Sequence, residues 1–75
     1  MRKLINGLMY DTDKSEFIYQ DPDKRRTYYR TKKHRYFIVY RTGEFGLTTE
    51  EKVKDILIEH DYAKFVELFG EPEEA

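Results

Sequence analysis

A chain of 75 residues can form one small domain, because a chain of this length hides only about 60% of the surface that its unfolded form exposes. It contains no cysteine, which excludes a disulfide framework and a thiolate metal site. The net charge of −1 conceals a segregation of charge: residues 24–41, the basic block, carry eight Lys and Arg and no acid, whereas residues 42–75, the acidic block, carry ten acids and three lysines. A charge distribution of this kind suggests a protein that binds a charged partner.

From the sequence we expect neither a membrane-spanning helix nor a signal peptide. No apolar run approaches the roughly 20 residues that a membrane helix needs. The apolar stretch that follows Arg2 and Lys3 is too short for a signal peptide. We therefore expect a cytoplasmic protein, in the reducing compartment that a cysteine-free chain suits, with no membrane contact.

The first predicted elements are two short strands. Residues 3–10 are apolar and are interrupted by Asn6-Gly7, which fits either a strand that bends at the glycine or a tight hairpin, since Asn-Gly is the strongest two-residue turn signal. Residues 11–15 are polar and predict a turn. Residues 16–20 predict a further strand, which ends before Pro22.

The segment from Thr27 to Arg41 predicts an antiparallel hairpin. Residues 27–31 and 35–41 are rich in aromatic and β-branched side chains, and a short basic connection separates them. His34 in that connection is expected at a turn position with positive φ. Period-two alternation places the aliphatic and aromatic side chains on both faces of the second strand.

Residues 42–47 form a glycine-punctuated connection with room for a brief edge strand. Thr48 then begins a capping box with Glu51, and an apolar stripe at helical spacing follows. Asp61 is expected to cap a second short helix, which Gly70 ends.

Together these elements predict an α+β domain over residues 1–70. It consists of a small antiparallel sheet of three to four strands with a C-terminal helical segment packed on one face, followed by an acidic tail, residues 71–75. The expected core residues are Leu4, Ile5, Phe17, Phe37, Val39, Val53, Ile56, Leu57, Val66 and Phe69.

No residue pattern in the chain indicates catalysis. The two histidines, His34 and His60, fall in a turn and near a helix end, and His60 has no partner at a helical spacing that would orient it. Two Asp-x-Asp pairs, at 11–13 and 21–23, lack the glycine and the terminal Glu of a calcium loop and predict turns instead. We expect neither an enzyme nor a cofactor.

Two surfaces are candidates for partner binding. The predicted hairpin interleaves tyrosines with Lys and Arg, the composition of a sheet that stacks nucleobases and neutralises phosphates. Its candidate contact residues are Arg26, Tyr28, Arg30, Lys32, Lys33, Arg35, Tyr36, Tyr40 and Arg41. The second candidate surface is the acidic side of the helix, with Glu50, Glu51, Asp55 and Glu59. Both charge runs are equally compatible with plain solvated surfaces.

Three blocks of the chain resemble a family of small proteins carried by phages, plasmids and integrative elements of Gram-positive bacteria. They are the opening Lys3-Leu4-Ile5-Asn6-Gly7-Leu8-Met9-Tyr10-Asp11-Thr12, the Tyr-rich hairpin of residues 28–40, and residues 47–71 with the closing Phe69-Gly70-Glu71. Relatives from such elements resemble inhibitors of host CRISPR immunity. The resemblance implies a mobile-element protein in a bacterial host cell, and it carries over no functional residue.

The leading functional prediction is a stoichiometric inhibitor of a bacterial defence system, an anti-CRISPR protein that acts on an RNA-guided type II nuclease. Its partner would be the effector protein or ribonucleoprotein. The alternative is a small protein that binds single-stranded DNA or RNA through the basic hairpin. A homodimer formed through exposed strand edges is a third interpretation, beside a monomer.

Overall fold

Two antiparallel sheets and two helices form the fold, and the computed structural model describes all 75 residues. The elements are β1 (Arg2–Ile5), β2 (Leu8–Asp11), β3 (Glu16–Gln20), β4 (Arg26–Arg30), β5 (Tyr36–Tyr40), β6 (Phe45–Thr48), α1 (Glu50–His60) and α2 (Tyr62–Phe69). A single 3₁₀ turn, Thr12–Lys14, joins β2 to β3. The predicted α+β class is confirmed, with helices at the C-terminal end packed on an antiparallel sheet.

The main sheet is a meander in which β3, β4, β5 and β6 are neighbours in chain order. Within β5, Phe37 lies opposite Tyr29 of β4 on one side and Leu47 of β6 on the other. The first four residues of β5 are all buried. Since successive side chains of a strand point to opposite faces, both faces of the sheet are covered at β5.

The two helices cover one face of the main sheet. Val53 and Leu57, four residues apart on α1, turn one side of that helix toward the sheet, and Phe65 of α2 joins them. The larger core cluster contains Ile18, Tyr28, Tyr36, Ile38, Val53, Leu57 and Phe65.

The hairpin of β1 and β2 covers the opposite face. Tyr10 of β2 packs edge-on against Phe37, with ring centroids 5.3 Å apart. Phe37 also stacks on Tyr29 at 5.3 Å and on Phe45 at 5.7 Å. Phe37 is completely buried, and together with Val39 it forms the cluster against which Tyr10 and Ile5 of the amino-terminal hairpin pack.

Positive φ angles mark the tight turns. Asn6 and Gly7 have φ values of 52° and 78°, the combination that a two-residue type I′ turn requires, so this dipeptide forms the tight hairpin and not a bend within one strand. His34, with φ of 62°, occupies the left-handed turn position predicted from the sequence.

The first helix begins one residue later than predicted. Thr49, and not Thr48, is the N-cap, and its hydroxyl accepts from the Lys52 amide at 3.2 Å. Thr48 is instead the last residue of β6, where it pairs with Tyr36. Sheet pairing therefore overrides the capping box that the sequence suggested.

The second helix begins and ends as predicted. The Asp61 carboxylate accepts from the Lys64 amide at 3.1 Å and caps α2. Gly70, with φ of 82°, ends the helix. Residues 71–75 are exposed and have no regular secondary structure.

The prediction that Leu4 and Phe17 are core residues is wrong, because they are 63% and 52% exposed. A β-bulge explains Phe17: β3 pairs Phe17 with Tyr29 but Tyr19 with Tyr28, so that Ile18 is an extra residue in the strand. Both Ile18 and Tyr19 consequently pack toward the helices. Leu4 lies on the outer side of the amino-terminal hairpin, opposite Met9.

The other eight predicted core residues contribute to the interior. Phe37, Val39, Val53 and Leu57 are buried, and Ile5, Ile56, Val66 and Phe69 pack against the two clusters while partly exposed. The prediction omitted six buried residues: Tyr10, Ile18, Tyr28, Tyr36, Ile38 and Phe65. It anticipated a sheet covered on one face, whereas this sheet is covered on both.

Candidate functional site

Two of the nine predicted basic-surface residues are not accessible to a partner. Tyr28 and Tyr36 are 2% and 5% exposed and belong to the larger core cluster beneath the helices. Their assignment to a contact surface is therefore wrong, because contact would require the helices to leave the sheet. Tyr40 remains exposed at the far end of β5, where its ring lies beside Gly46.

Arg26 and Arg30 are already engaged within the fold. The Arg26 Nε atom lies 2.8 Å from Asp21 Oδ2, and the Arg30 Nη2 atom lies 2.7 Å from Glu16 Oε1. The hydrogen bond to Asp21 raises the pKa of Arg26. Desolvation opposes the charge of Arg30, but side-chain interactions with Tyr36 and Glu16 outweigh it and raise its pKa. The Arg30 pair joins β4 to β3, and the Arg26 pair joins β4 to the residue that follows β3, so both guanidinium groups are poor candidates for partner contact.

Lys32, Lys33 and Arg35 lie in a hydrogen-bonded turn of the hairpin. In the connection from β4 to β5, the Thr31 amide donates to the Arg35 carbonyl at 2.8 Å and the His34 amide donates to the Thr31 carbonyl at 2.9 Å. The Thr31 hydroxyl also accepts from the Arg35 amide at 3.0 Å. Lys32, Lys33 and Arg35 are thus exposed side chains on a fixed backbone, and none forms an ion pair.

This turn forms one wall of an open cleft of about 550 Å³. The other wall is the amino-terminal hairpin and the 3₁₀ turn after it, which add the bases Arg2 and Lys14. We call this site the basic cleft, and its residues are Arg2, Leu8, Met9, Tyr10, Asp11, Lys14, Ser15, Thr31, Lys32, Lys33 and Arg35. It contains five cations and one carboxylate.

The five cations of the basic cleft are unpaired. None of them participates in any of the six ion pairs of the chain. The single carboxylate, Asp11, accepts from the Asp13 amide at 2.9 Å and so caps the 3₁₀ turn. The lining of the site therefore carries five positive charges against one negative charge, and none of the five is in an ion pair.

The sequence reasoning missed Arg2 and Lys14. They lie far from the basic block along the chain and join it because the amino-terminal hairpin folds over the main sheet. The sequence signal for this arrangement is Asn6-Gly7. If this dipeptide forms a tight turn, residues 2–11 become a two-stranded hairpin, and that hairpin must bury one of its faces against the rest of the protein.

A second group of bases lies at the opposite end of β4 and β5. Arg25 and Arg41 line a smaller cleft of about 300 Å³ together with Tyr40, Thr42 and Glu44. Arg25 is paired with Asp23 at 3.3 Å, and Glu44 adds a second carboxylate to this region. The excess of positive charge is therefore smaller here than at the basic cleft.

The predicted acidic surface is exposed on α1. Glu50 pairs with Lys54 of the same helix at 3.4 Å, and Glu51, Asp55 and Glu59 are exposed. No ion pair links the acidic block to the basic block; Arg25, Arg26 and Arg30 pair with acids from residues 1–23. We call the basic block and the acidic block the two poles of the chain. In the folded protein they do not neutralise each other through ion pairs.

Neither helix has the length and apolar character needed to cross a membrane. The chain matches no family model, no curated protein and no solved structure. The resemblance to the mobile-element family accordingly stays a prediction from the three sequence blocks quoted above.

Proposed function

We propose that this chain is a non-catalytic inhibitor of a host RNA-guided nuclease, of the anti-CRISPR class, and that it binds the effector ribonucleoprotein through the basic cleft. The observation that carries the binding mode is the convergence of five unpaired cations on one cleft. The choice of a nuclease as target rests on the resemblance to proteins of mobile elements.

The physical basis of the proposed binding is electrostatic. Each phosphate that a Lys or Arg neutralises releases counterions, which makes affinity for nucleic acid high at low salt and steeply dependent on salt. Cations that outnumber the carboxylates beside them are stabilised when an anionic ligand binds between them. Inhibition would follow from occupancy of the guide RNA, one inhibitor per effector, without turnover.

The decisive test is a DNA-cleavage assay with purified type II effector and guide RNA. Reversal of the exposed turn bases, in the triple variant Lys32→Glu, Lys33→Glu and Arg35→Glu, should abolish inhibition. These side chains make no ion pair and are exposed, so the variant should keep its fold. Arg30 is left unchanged, because its reversal would also break the pair with Glu16.

The matched control reverses three exposed bases that lie outside the basic cleft: Lys24→Glu, Arg41→Glu and Lys52→Glu. It changes the net charge equally and should inhibit as the parent chain does. If the cleft variant still inhibits, or if both variants lose inhibition alike, the basic cleft is not the inhibitory surface.

The alternative function is binding of free nucleic acid that belongs to the element itself. The exposed apolar residues Leu8 and Met9 beside the cations of the cleft favour it, because single-strand binding sites combine positive charge with surfaces for base faces. Because Tyr28 and Tyr36 are buried and cannot stack on nucleobases, such binding would depend on the phosphate backbone of the nucleic acid and would tolerate many base sequences. A chain that binds a free oligonucleotide in filter binding but leaves DNA cleavage by the effector unaffected would have this function and not the proposed one.

A further inference from the structure

We infer that the basic cleft binds a short stretch of single-stranded nucleic acid, one or two nucleotides long, and that Arg2 and Lys14 contact its phosphates. This inference deepens the proposed function, on which it rests, by assigning the ligand chemistry and two contact residues outside the basic block. The ligand class is the phosphodiester backbone of single-stranded RNA or DNA.

The charges of the cleft come from three separate segments of the chain. Arg2 comes from β1, Lys14 from the 3₁₀ turn, and the other three cations from the turn between β4 and β5. The docking of the hairpin on the main sheet at Phe37 places these three segments around one cleft. A backbone with regularly spaced negative charges can neutralise several of these cations at once.

The size of the cleft suits a single strand. A volume of about 550 Å³ lies within the range of roughly 300–1,000 Å³ that is typical of small-ligand sites. Leu8 and Met9 are 41% and 56% exposed at its border and offer apolar surface to an unstacked base. In a duplex the base faces are already stacked on one another, so this apolar surface would have no partner.

Strand β2 adds neutral donors to the site. It pairs only with β1, and all four of its residues line the cleft. In an antiparallel pair, alternate residues direct their backbone N–H groups away from the partner strand. The free edge of β2 therefore supplies N–H groups beside the cations, an arrangement suited to phosphate oxygens.

The test is fluorescence anisotropy with a labelled eight-nucleotide oligouridine RNA at several salt concentrations. The variant is Arg2→Ala with Lys14→Ala, and the matched control is Arg41→Ala with Lys52→Ala, which removes two exposed bases outside the cleft. A segment of one or two nucleotides presents about two phosphates, so the slope of log K against log salt should be about −1.4, and the cleft variant should bring it closer to zero.

We expect the cleft variant to bind the RNA about tenfold or more weakly at low salt, and the control to stay within about twofold of the parent chain. A duplex of the same length should bind more weakly than the single strand. Equal binding by cleft variant and parent, equal losses in variant and control, or a preference for the duplex would overturn the inference. Urea unfolding of each variant shows whether the fold is retained.

Comparison with the nuclease assay separates this inference from the proposed function. If the parent chain inhibits the nuclease but does not bind free RNA, the single-strand site is wrong and inhibition acts through protein contacts. If the parent chain binds RNA through the cleft but does not inhibit any effector, the site stands and the proposed inhibitory function is wrong.

Discussion

Phe37 is the largest fully buried side chain between the amino-terminal hairpin and the main sheet, and its truncation tests how the hairpin is attached. Phe37 is fully buried and contacts three aromatic rings: Tyr10 from the hairpin, Tyr29 from β4 and Phe45 from β6. The substitution Phe37→Ala leaves a cavity between the hairpin and the sheet. Tyr10 then loses its ring contact with Phe37.

The expected cost is large for a protein of this size. Truncation of a buried Phe to Ala typically costs about 3–5 kcal/mol. A domain of this length has a total stability of roughly 4–11 kcal/mol, at about 0.05–0.15 kcal/mol per residue. Phe37→Ala should therefore lower the free energy of unfolding by about 3 kcal/mol or more, a large fraction of the total.

Urea denaturation followed by circular dichroism measures this change. With a slope near 1.5 kcal/mol per molar urea, the midpoint should fall by about 2 M. The matched control is Leu47→Ala, which removes the half-exposed side chain directly opposite Phe37 on β6 and should cost about 1 kcal/mol or less.

Amide hydrogen exchange adds a local readout. Residues of β1 and β2 should lose protection in Phe37→Ala before α1 does, because the hairpin is anchored through Phe37 whereas α1 packs on the opposite face. A cost below about 1 kcal/mol, or unchanged protection of the hairpin, would refute this account of how the basic cleft is assembled.

Three further perturbations test local features. Burial raises the pKa of Tyr28 above its ordinary value, an effect that nearby Arg26 partly opposes. The stability that the neutral Tyr28 side chain contributes is therefore complete below about pH 10 and is lost as the pH rises through the raised pKa. Tyr28→Phe should therefore flatten the alkaline loss of stability, measured by urea unfolding as the pH is raised from about 9 to 12. Asp61→Ala should cost about 1 kcal/mol because it removes the cap of α2, whereas Asp55→Ala, on the exposed side of α1, should cost little when measured in the same urea experiment. Gly7→Ala should lower the free energy of unfolding by about 1–2 kcal/mol through the positive φ alone, since no atom lies within 4 Å of the added Cβ. Thermal unfolding should show a smaller loss of stability for Gly7→Asn, because Asn tolerates a positive φ better than Ala.

The sequence was most informative where local chemistry decides the structure. The aromatic and β-branched runs on either side of residues 32–34 predicted β4 and β5, and Asp61 and Gly70 marked the ends of α2. It was less informative where a tertiary contact competes with a local signal. Thr48 and Thr49 are both capable caps, and only the pairing of Thr48 with Tyr36 shows which one begins the helix.

The candidate site was harder to predict than the fold. A count of charges along the chain cannot show that Arg26 and Arg30 are engaged by acids five and fourteen residues earlier. Nor can it show that Arg2 and Lys14 approach the central turn, because that approach depends on the hairpin packing over Phe37. The bulge at Ile18 is likewise invisible to a strict period-two alternation.

The separation of the two poles has a consequence for the protein on its own. Each molecule carries both the acidic surface of α1 and the basic cleft, so one copy can bind weakly to another through these opposite charges. Below about 0.1 M salt, where charges interact over roughly 10 Å or more, we expect transient head-to-tail association that competes with the true ligand. Apparent affinity measured in dilute buffer should then depend on protein concentration, and it should stop doing so once added salt screens the attraction between copies.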